Sequence, residues 1–198
     1  MKACFNGSKR VYFHADELQQ LLDIVDFVGT FGLKNAVIIG GYDSYLITNQ
    51  LKEKNISIML PRVHSLPESD DDAVDLVYRL PYLLQQGGVT FCLQNEGDMD
   101  AMNVRNLPFL AGTAMAYGLT EEEALQAISL NPCKIMGISD QFGSLEVGKS
   151  ATLFISKGPA LDMKSNQVTF LVFNGHIESA ENFQYQLYQK YKRKYQGK

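Results

Sequence analysis

Between Val11 and Leu93 the chain switches periodicity four times in about ninety residues, and this alternation limits its fold more than any other feature. Val11-Tyr12-Phe13-His14-Ala15, Ala36-Val37-Ile38-Ile39, Ile56-Ser57-Ile58-Met59-Leu60 and Val89-Thr90-Phe91-Cys92-Leu93 are short, mostly apolar runs. Such runs suit strands buried on both faces, as parallel strands are. After the first run, Leu18, Leu21, Leu22, Val25 and Val28 recur at helical spacing from Asp16 to Phe31, and Gly32 is placed to end that helix in a left-handed conformation. Gly40-Gly41 turns the second run into a helix with Leu46, Ile47, Gln50 and Leu51 on one side. A helix from Leu76 to Gln86, containing Pro81, precedes the fourth run. The pattern predicts parallel βαβ units with right-handed crossovers.

Beyond Leu93 a loop from Gln94 to Asn103 leads into a helix from Val104 to Tyr117, with Pro108 near its start, where a missing N–H costs least. Thr120 then stands ahead of Glu121, Glu122 and Glu123, a cap and three acids that suit the positive end of a helix dipole. Ala124, Leu125, Ile128 and Ser129 form one stripe of that helix. Asn131-Pro132 is expected to stop it, and Gly137 to close a second, shorter one. After Gly143 the period becomes alternating. Strands are predicted at Leu145 to Val147, Ala151 to Ser156 and Val168 to Phe173, with Asn174-Gly175 as a type I′ hairpin into His176-Ile177. Phe183, Leu187, Tyr188, Tyr191 and Tyr195 predict a final helix docked by its aromatics, its polar face carrying Lys190, Lys192, Arg193 and Lys194.

Length now becomes decisive. A complete (β/α)8 barrel takes roughly 250 residues, and this chain has 198 with a run of strands still to follow. There is room for about half of such a barrel; that the chain is a fragment of one, or a half completed by another chain, is what the resemblance described below implies. With 45% apolar and 20% charged residues the composition is that of a globular protein, and a net charge of −4 gives no reason to expect nucleic acid as a partner. Cys4, Cys92 and Cys133 fit neither a disulfide framework nor a CxxC metal site, and are expected to be buried free thiols. No apolar run approaches membrane-spanning length, and the first residues lack the apolar core of a signal peptide. The loop from Pro61 to Asp75 carries Glu68, Asp70, Asp71, Asp72 and Asp75, which reads first as a solvated loop and second as a lid or cation contact.

In a (β/α)8 barrel catalytic residues project from the C-terminal ends of the strands. Here those ends are His14-Ala15-Asp16, Gly40-Gly41-Tyr42-Asp43, Arg62-Val63-His64 and Gln94-Asn95-Glu96-Gly97-Asp98. Two of the three histidines are among them, and a catalytic zinc needs His nitrogens and carboxylate oxygens converging around one open position. The third, His176, follows the hairpin and reads as surface. Tyr42 and Asp43 read as a helix start, with Asp43 or Ser44 as its cap.

The ordered series from Gly118 to Leu153, GLTxEEAL…NPxKxxGIxDxxGSLExGKxATL, resembles the C-terminal signature of the amidohydrolase superfamily, the imidazolonepropionase-like branch in particular. Weaker agreement extends back to His14, and the resemblance covers the chain from about Tyr12 to about Ile177. The resemblance implies the C-terminal half of a metal-dependent-hydrolase (β/α)8 barrel over residues 1–142, strands of a small composite β-sandwich over 143–179, and a C-terminal helix over 180–198. It implies hydrolysis of non-peptide C–N bonds, as in a cyclic amide, by metal-activated water, with zinc the expected ion in the full-length protein. His14 falls at the metal-binding His of the fifth strand, the alternative being a core histidine bonded to backbone. The sixth-strand His position falls on Gly40 or Gly41, so that ligand is missing. The eighth-strand Asp position falls near Asn95 or Glu96. Glu96 is therefore the candidate catalytic carboxylate, with Asp98 and Asp100 as other loop carboxylates, and Asn95 is unable to act as a base. Arg62 and His64 are candidate substrate contacts at the seventh strand end, or anchors of the acidic loop.

The HxH pair that the superfamily carries on its first strand is nowhere in this sequence, so the chain is expected to be inactive alone. Its expected partners are a small-molecule substrate, the missing N-terminal half of the barrel and further copies of itself. The second reading is a non-catalytic barrel relative with a decayed metal site and a binding or scaffold role.

Overall fold

The computed structural model of the chain describes residues 2–96 and 100–196. A short helix α1 (Lys2–Phe5) leads into strand β1 (Val11–Ala15), helix α2 (Leu18–Phe31) and strand β2 (Ala36–Gly40). A 3-10 stretch, Tyr42–Ile47, runs into α3 (Thr48–Glu53), and β3 (Ser57–Leu60), α4 (Leu76–Gly87) and β4 (Phe91–Leu93) follow. The four strands form one parallel sheet in sequence order, β1-β2-β3-β4, so β1 and β4 are its edges.

Alternation along the strands decides what each face carries. Val11, Phe13 and Ala15 of β1, Ile38 of β2, Ile58 and Leu60 of β3, and Phe91 and Leu93 of β4 meet Leu21, Leu51, Leu80 and Leu84 from the helices in the main core. Leu21, Ile38, Leu51, Ile58 and Leu84 are wholly excluded from water, so this layer is sealed. The opposite face presents Tyr12, His14, Val37, Ile39, Met59 and Cys92. There Val37, Met59 and Cys92 pack on Ile135, while Tyr12 and His14 stay exposed. One face of the sheet is closed; the other is covered over Val37 and Cys92 by the helix that carries Ile135 and is open at β1.

After β4 come α5 (Asp100–Asn103), a 3-10 turn (Val104–Asn106), α6 (Leu107–Ala116), α7 (Glu121–Ile128) and α8 (Leu130–Met136). Thr120 and Glu123 form a reciprocal capping box at the start of α7. The break after α7 falls at Ser129, whose backbone leaves the helical region, and Asn131-Pro132 lies inside the first turn of α8 rather than ending α7. An amide N–H in that turn has no intrahelical partner, so proline costs little there. Asn131 Nδ2 donates to Phe91 O at 2.9 Å and ties α8 to β4. Gly137 ends α8 with φ 73°, as its place in the sequence predicts.

The second sheet is antiparallel, β5 (Leu153–Ser156), β6 (Val168–Phe173) and β7 (His176–Glu178) in that order. Asn174 and Gly175 have φ of 49° and 82°, as a type I′ hairpin requires. Leu145 and Val147 are exposed and lie outside any strand, contrary to the alternation read there. α9 (Phe183–Tyr195) forms, but it buries none of its residues, so the expectation that its aromatics dock it fails among the described residues. Instead Lys190, Lys192 and Lys194 lie near tyrosine rings of the same helix. Of the cysteines, all free, Cys92 alone is buried; Cys4 and Cys133 are partly exposed. No described helix is long and apolar enough to cross a membrane.

Candidate active site

Parallel register sets the C-terminal strand ends side by side. His14 pairs with Ile39, Ile39 with Met59 and Met59 with Cys92, so these four residues form one row across the open face. His14 stands on edge strand β1, one residue below the strand end, exposed. At about 4.8 Å per strand, the β4 end of the row is roughly 14 Å from His14 along the sheet.

Glu96 follows β4 by three residues and is half-buried. Its Oε2 accepts a 2.7 Å bond from Gln94 Nε2, which also reaches Met59 O at 3.3 Å. Gln94 N in turn donates to Leu60 O at 2.9 Å, so the ladder extends one residue past β4 and fixes the carboxylate beside it. Asp98 lies outside the described residues.

Arg62 lines a cavity of about 120 Å³ together with Asp16, Tyr42, Leu60, Leu66 and Glu68. The cavity sits where the ends of β1, β2 and β3 meet the acidic loop. The ion pairs among the described residues are Arg79–Asp75 and Lys149–Glu146, so the Arg62 guanidinium has no carboxylate partner there. His64, two residues on, turns toward the helices instead. Its Nε2 lies 2.6 Å from Thr113 Oγ1 on α6, and its ring meets Tyr78 of α4 edge-on at 6.3 Å. The Thr113 hydroxyl donates to Phe109 O at 3.1 Å, so His64 Nε2 is the donor to Thr113. These contacts anchor the loop to α4 and α6.

Two residues read from the sequence as a helix start have larger roles. Asp43 Oδ2 accepts from Leu18 N at 2.9 Å and caps α2, a helix that begins 25 positions earlier and whose own N-cap, Glu17, makes no side-chain bond. Tyr42 organises the acidic loop. Its hydroxyl donates to Asp72 Oδ2 at 2.7 Å and accepts from Glu68 N at 3.1 Å, while Asp72 Oδ2 also takes Ser69 N at 3.1 Å. Burial first, then the bond to Asp72, pushes the Tyr42 hydroxyl up to about 12. Glu68 is pushed up as well, by burial and then by the carboxylates of Asp16, Asp43, Asp72 and Glu17. No local sequence pattern signals either role, because both partners are distant in the chain.

Gly40 explains why the end of β2 carries no ligand. Its φ is 104°, and a Cβ there would meet Asp16 Oδ1 and Ala15 O. Any side chain at this position is strained and crowded, so a single substitution cannot restore a histidine. Among the described residues no three of His, Cys, Asp and Glu are grouped closely enough to hold a metal ion. The donor set of this chain, with His14 and Glu96 at opposite ends of a four-stranded sheet, does not fit a metal centre by itself.

Residues 1–179 match the sequence profile of the amidohydrolase family. The chain is 27% identical over 164 residues to the imidazolonepropionase of Flavobacterium johnsoniae, covering 74% of this chain and 39% of that protein. It is 28% identical over 144 residues to the imidazolonepropionase of Shewanella oneidensis, covering 72% of this chain and 33% of that one. The crystal structure of an amidohydrolase from Thermotoga maritima superposes with a TM-score of 0.76 at 28% identity, over 89% of this chain and 45% of the other. The chain thus spans less than half the length of these relatives. Its parallel sheet is part of a (β/α)8 barrel, with the antiparallel strands and α9 following it.

Proposed function

Because the chain belongs to the amidohydrolase family, we propose that it is the C-terminal part of a hydrolase acting on the non-peptide C–N bond of a small cyclic amide, in the manner of an imidazolonepropionase. The observation that carries this reading is the open face of the parallel sheet. His14, Arg62 and Glu96 sit at or beside the C-terminal strand ends, where a (β/α)8 barrel places its chemistry. The reading divides the chain into a half barrel (1–142), sandwich strands (143–179) and a terminal helix (180–198).

In this proposal His14 is one metal donor, Glu96 the carboxylate nearest the eighth-strand position, and Arg62 the cation available to substrate. His64 positions the loop that carries Arg62. The divalent metal used by such hydrolases, zinc by expectation, would be gripped chiefly by residues that this chain does not contain.

Gly40 favours a second reading, a non-catalytic relative with a binding or scaffold role, because that strand end is built to exclude a ligand side chain. The protein from its native source separates the two. Hydrolysis of a five-membered cyclic amide, with about one or two divalent ions per chain on the same sample, is the expected result. A folded protein with neither turnover nor bound metal overturns the hydrolase reading and leaves the scaffold one. The 198-residue chain alone is expected to show no turnover.

A further inference from the structure

The opposite end of the strands holds a second polar cavity, of about 170 Å³, lined by Arg10, Asn35, Asn55, Ser57, Thr90 and Lys134 among others. Its floor is apolar, made of Ala36, Val37 and Ile135, all buried. The wall is built from four separate elements. Arg10 immediately precedes β1, Asn55 and Ser57 flank the start of β3, Thr90 precedes β4, and Lys134 lies in the last turn of α8. Strands β1–β4 thus carry two cavities at opposite ends, and from Ala36 to Gly40 that is roughly 13 Å of strand.

These polar side chains line one cavity. Asn35 Nδ2 is committed to Gly7 O at 2.9 Å. The side chains of Arg10, Lys134, Ser57, Thr90 and Asn55 make no hydrogen bond or ion pair with any described residue. The Arg10 guanidinium is nevertheless held in place, since it packs so closely over Gly137 that a Cβ there would overlap it. The C-terminal end of α8 offers these cations some compensation, but a helix dipole supplies only about half a negative charge. Among the described residues, neither Arg10 nor Lys134 has a carboxylate partner, on a protein whose net charge is −4.

We propose that this cavity binds a phosphate group. Arg10 and Lys134 match the charge of a phosphate near pH 7, about −1.5 to −2, and the Ser57 and Thr90 hydroxyls add neutral donors to its oxygens. A carboxylate, with one charge and two oxygens, would leave one cation and the hydroxyls unmatched. The ligand is a free phosphate ion or a small phosphate ester whose remainder extends into solvent past Lys134. The site is distinct from the strand-end residues of the proposed hydrolase and stands whether or not that reading holds.

Titration of the whole chain with inorganic phosphate, and separately with glycerol phosphate, at fixed ionic strength tests this by calorimetry and phosphorus NMR. Saturable binding at one site per chain is expected, and tighter binding of the ester would identify an ester as the ligand. Arg10→Gln and Lys134→Gln should each weaken binding about tenfold or more, the loss of a charge-assisted bond, with circular dichroism unchanged. Lys134 is exposed, so Lys134→Gln remains informative if Arg10→Gln fails to fold. Lys190→Gln with Arg193→Gln on α9 should leave binding intact. The proposal is overturned if neither compound binds saturably, if Lys134→Gln binds as tightly as the parent, or if the α9 substitutions abolish binding.

Discussion

At the scale of single residues, Tyr42 shows how one hydroxyl orders a loop that its own charges would scatter. Glu68, Asp70, Asp71, Asp72 and Asp75 repel one another, yet Tyr42 holds Asp72 and the Glu68 backbone at once. Tyr42→Phe should cost about 1 kcal/mol, the net value of a hydrogen bond, and should speed proteolytic cleavage within residues 61–75. The pH dependence has a defined sign. The hydroxyl titrates near 10.0 when unfolded and at about 12 when folded. Its contribution is therefore complete below pH 10 and is lost as pH rises toward 12. Chemical denaturation across that range should show a steeper loss of stability in the parent than in Tyr42→Phe. Identical alkaline limbs would mean that the hydroxyl is not the group that titrates.

At the scale of elements, α7 is the helix whose start is most completely specified by local sequence. The Thr120 hydroxyl accepts from Glu123 N at 3.3 Å, and Glu123 Oε2 accepts from Thr120 N at 2.8 Å. The bonds to Thr120 also hold the Glu123 carboxyl below its usual value, so its share of stability is present at neutral pH and lost as pH falls through that lowered value. Thr120→Ala should cost about 1 kcal/mol, read as a lower thermal midpoint; an unchanged midpoint would show that packing on α6, α8 and β4 holds α7 without the cap. Features of this local kind were legible in the sequence. β1 to β4 appeared as apolar runs, Gly32 and Gly137 as left-handed caps, and Asn174-Gly175 as a hairpin. What was not legible depended on partners distant in the chain. The Asp43 cap of α2, the Tyr42 knot and the His64–Thr113 bond are all of that kind. Leu46 and Ile47 made one apolar patch in the sequence, but the 3-10 geometry of Tyr42–Ile47 buries Ile47 and leaves Leu46 outside. The candidate site was legible as positions rather than as contacts. His14, Arg62 and Glu96 do lie at strand ends, but the crowding that forbids a side chain at Gly40 comes from Ala15 and Asp16, which only the fold brings beside it.

At the scale of the whole molecule, many large apolar side chains are left uncovered. Tyr12 on the open face of the parallel sheet, Phe154, Ile155, Phe170, Phe173 and Ile177 on the antiparallel sheet, and Phe183, Tyr188 and Tyr195 on α9 are all exposed. β1 and β4 also leave their outer backbone groups unpaired by any described strand, and open edges of this kind recruit other strands. A length of 33–45% of the relatives matched agrees with such a surface being covered by additional polypeptide. Sedimentation velocity of the purified 198-residue chain over a wide concentration range tests that incompleteness most directly. Concentration-dependent association is expected when no further polypeptide is present. A single, cooperatively folded monomer at every concentration would mean that half a barrel is sufficient by itself, and would contradict the claim that these strands need others to complete them.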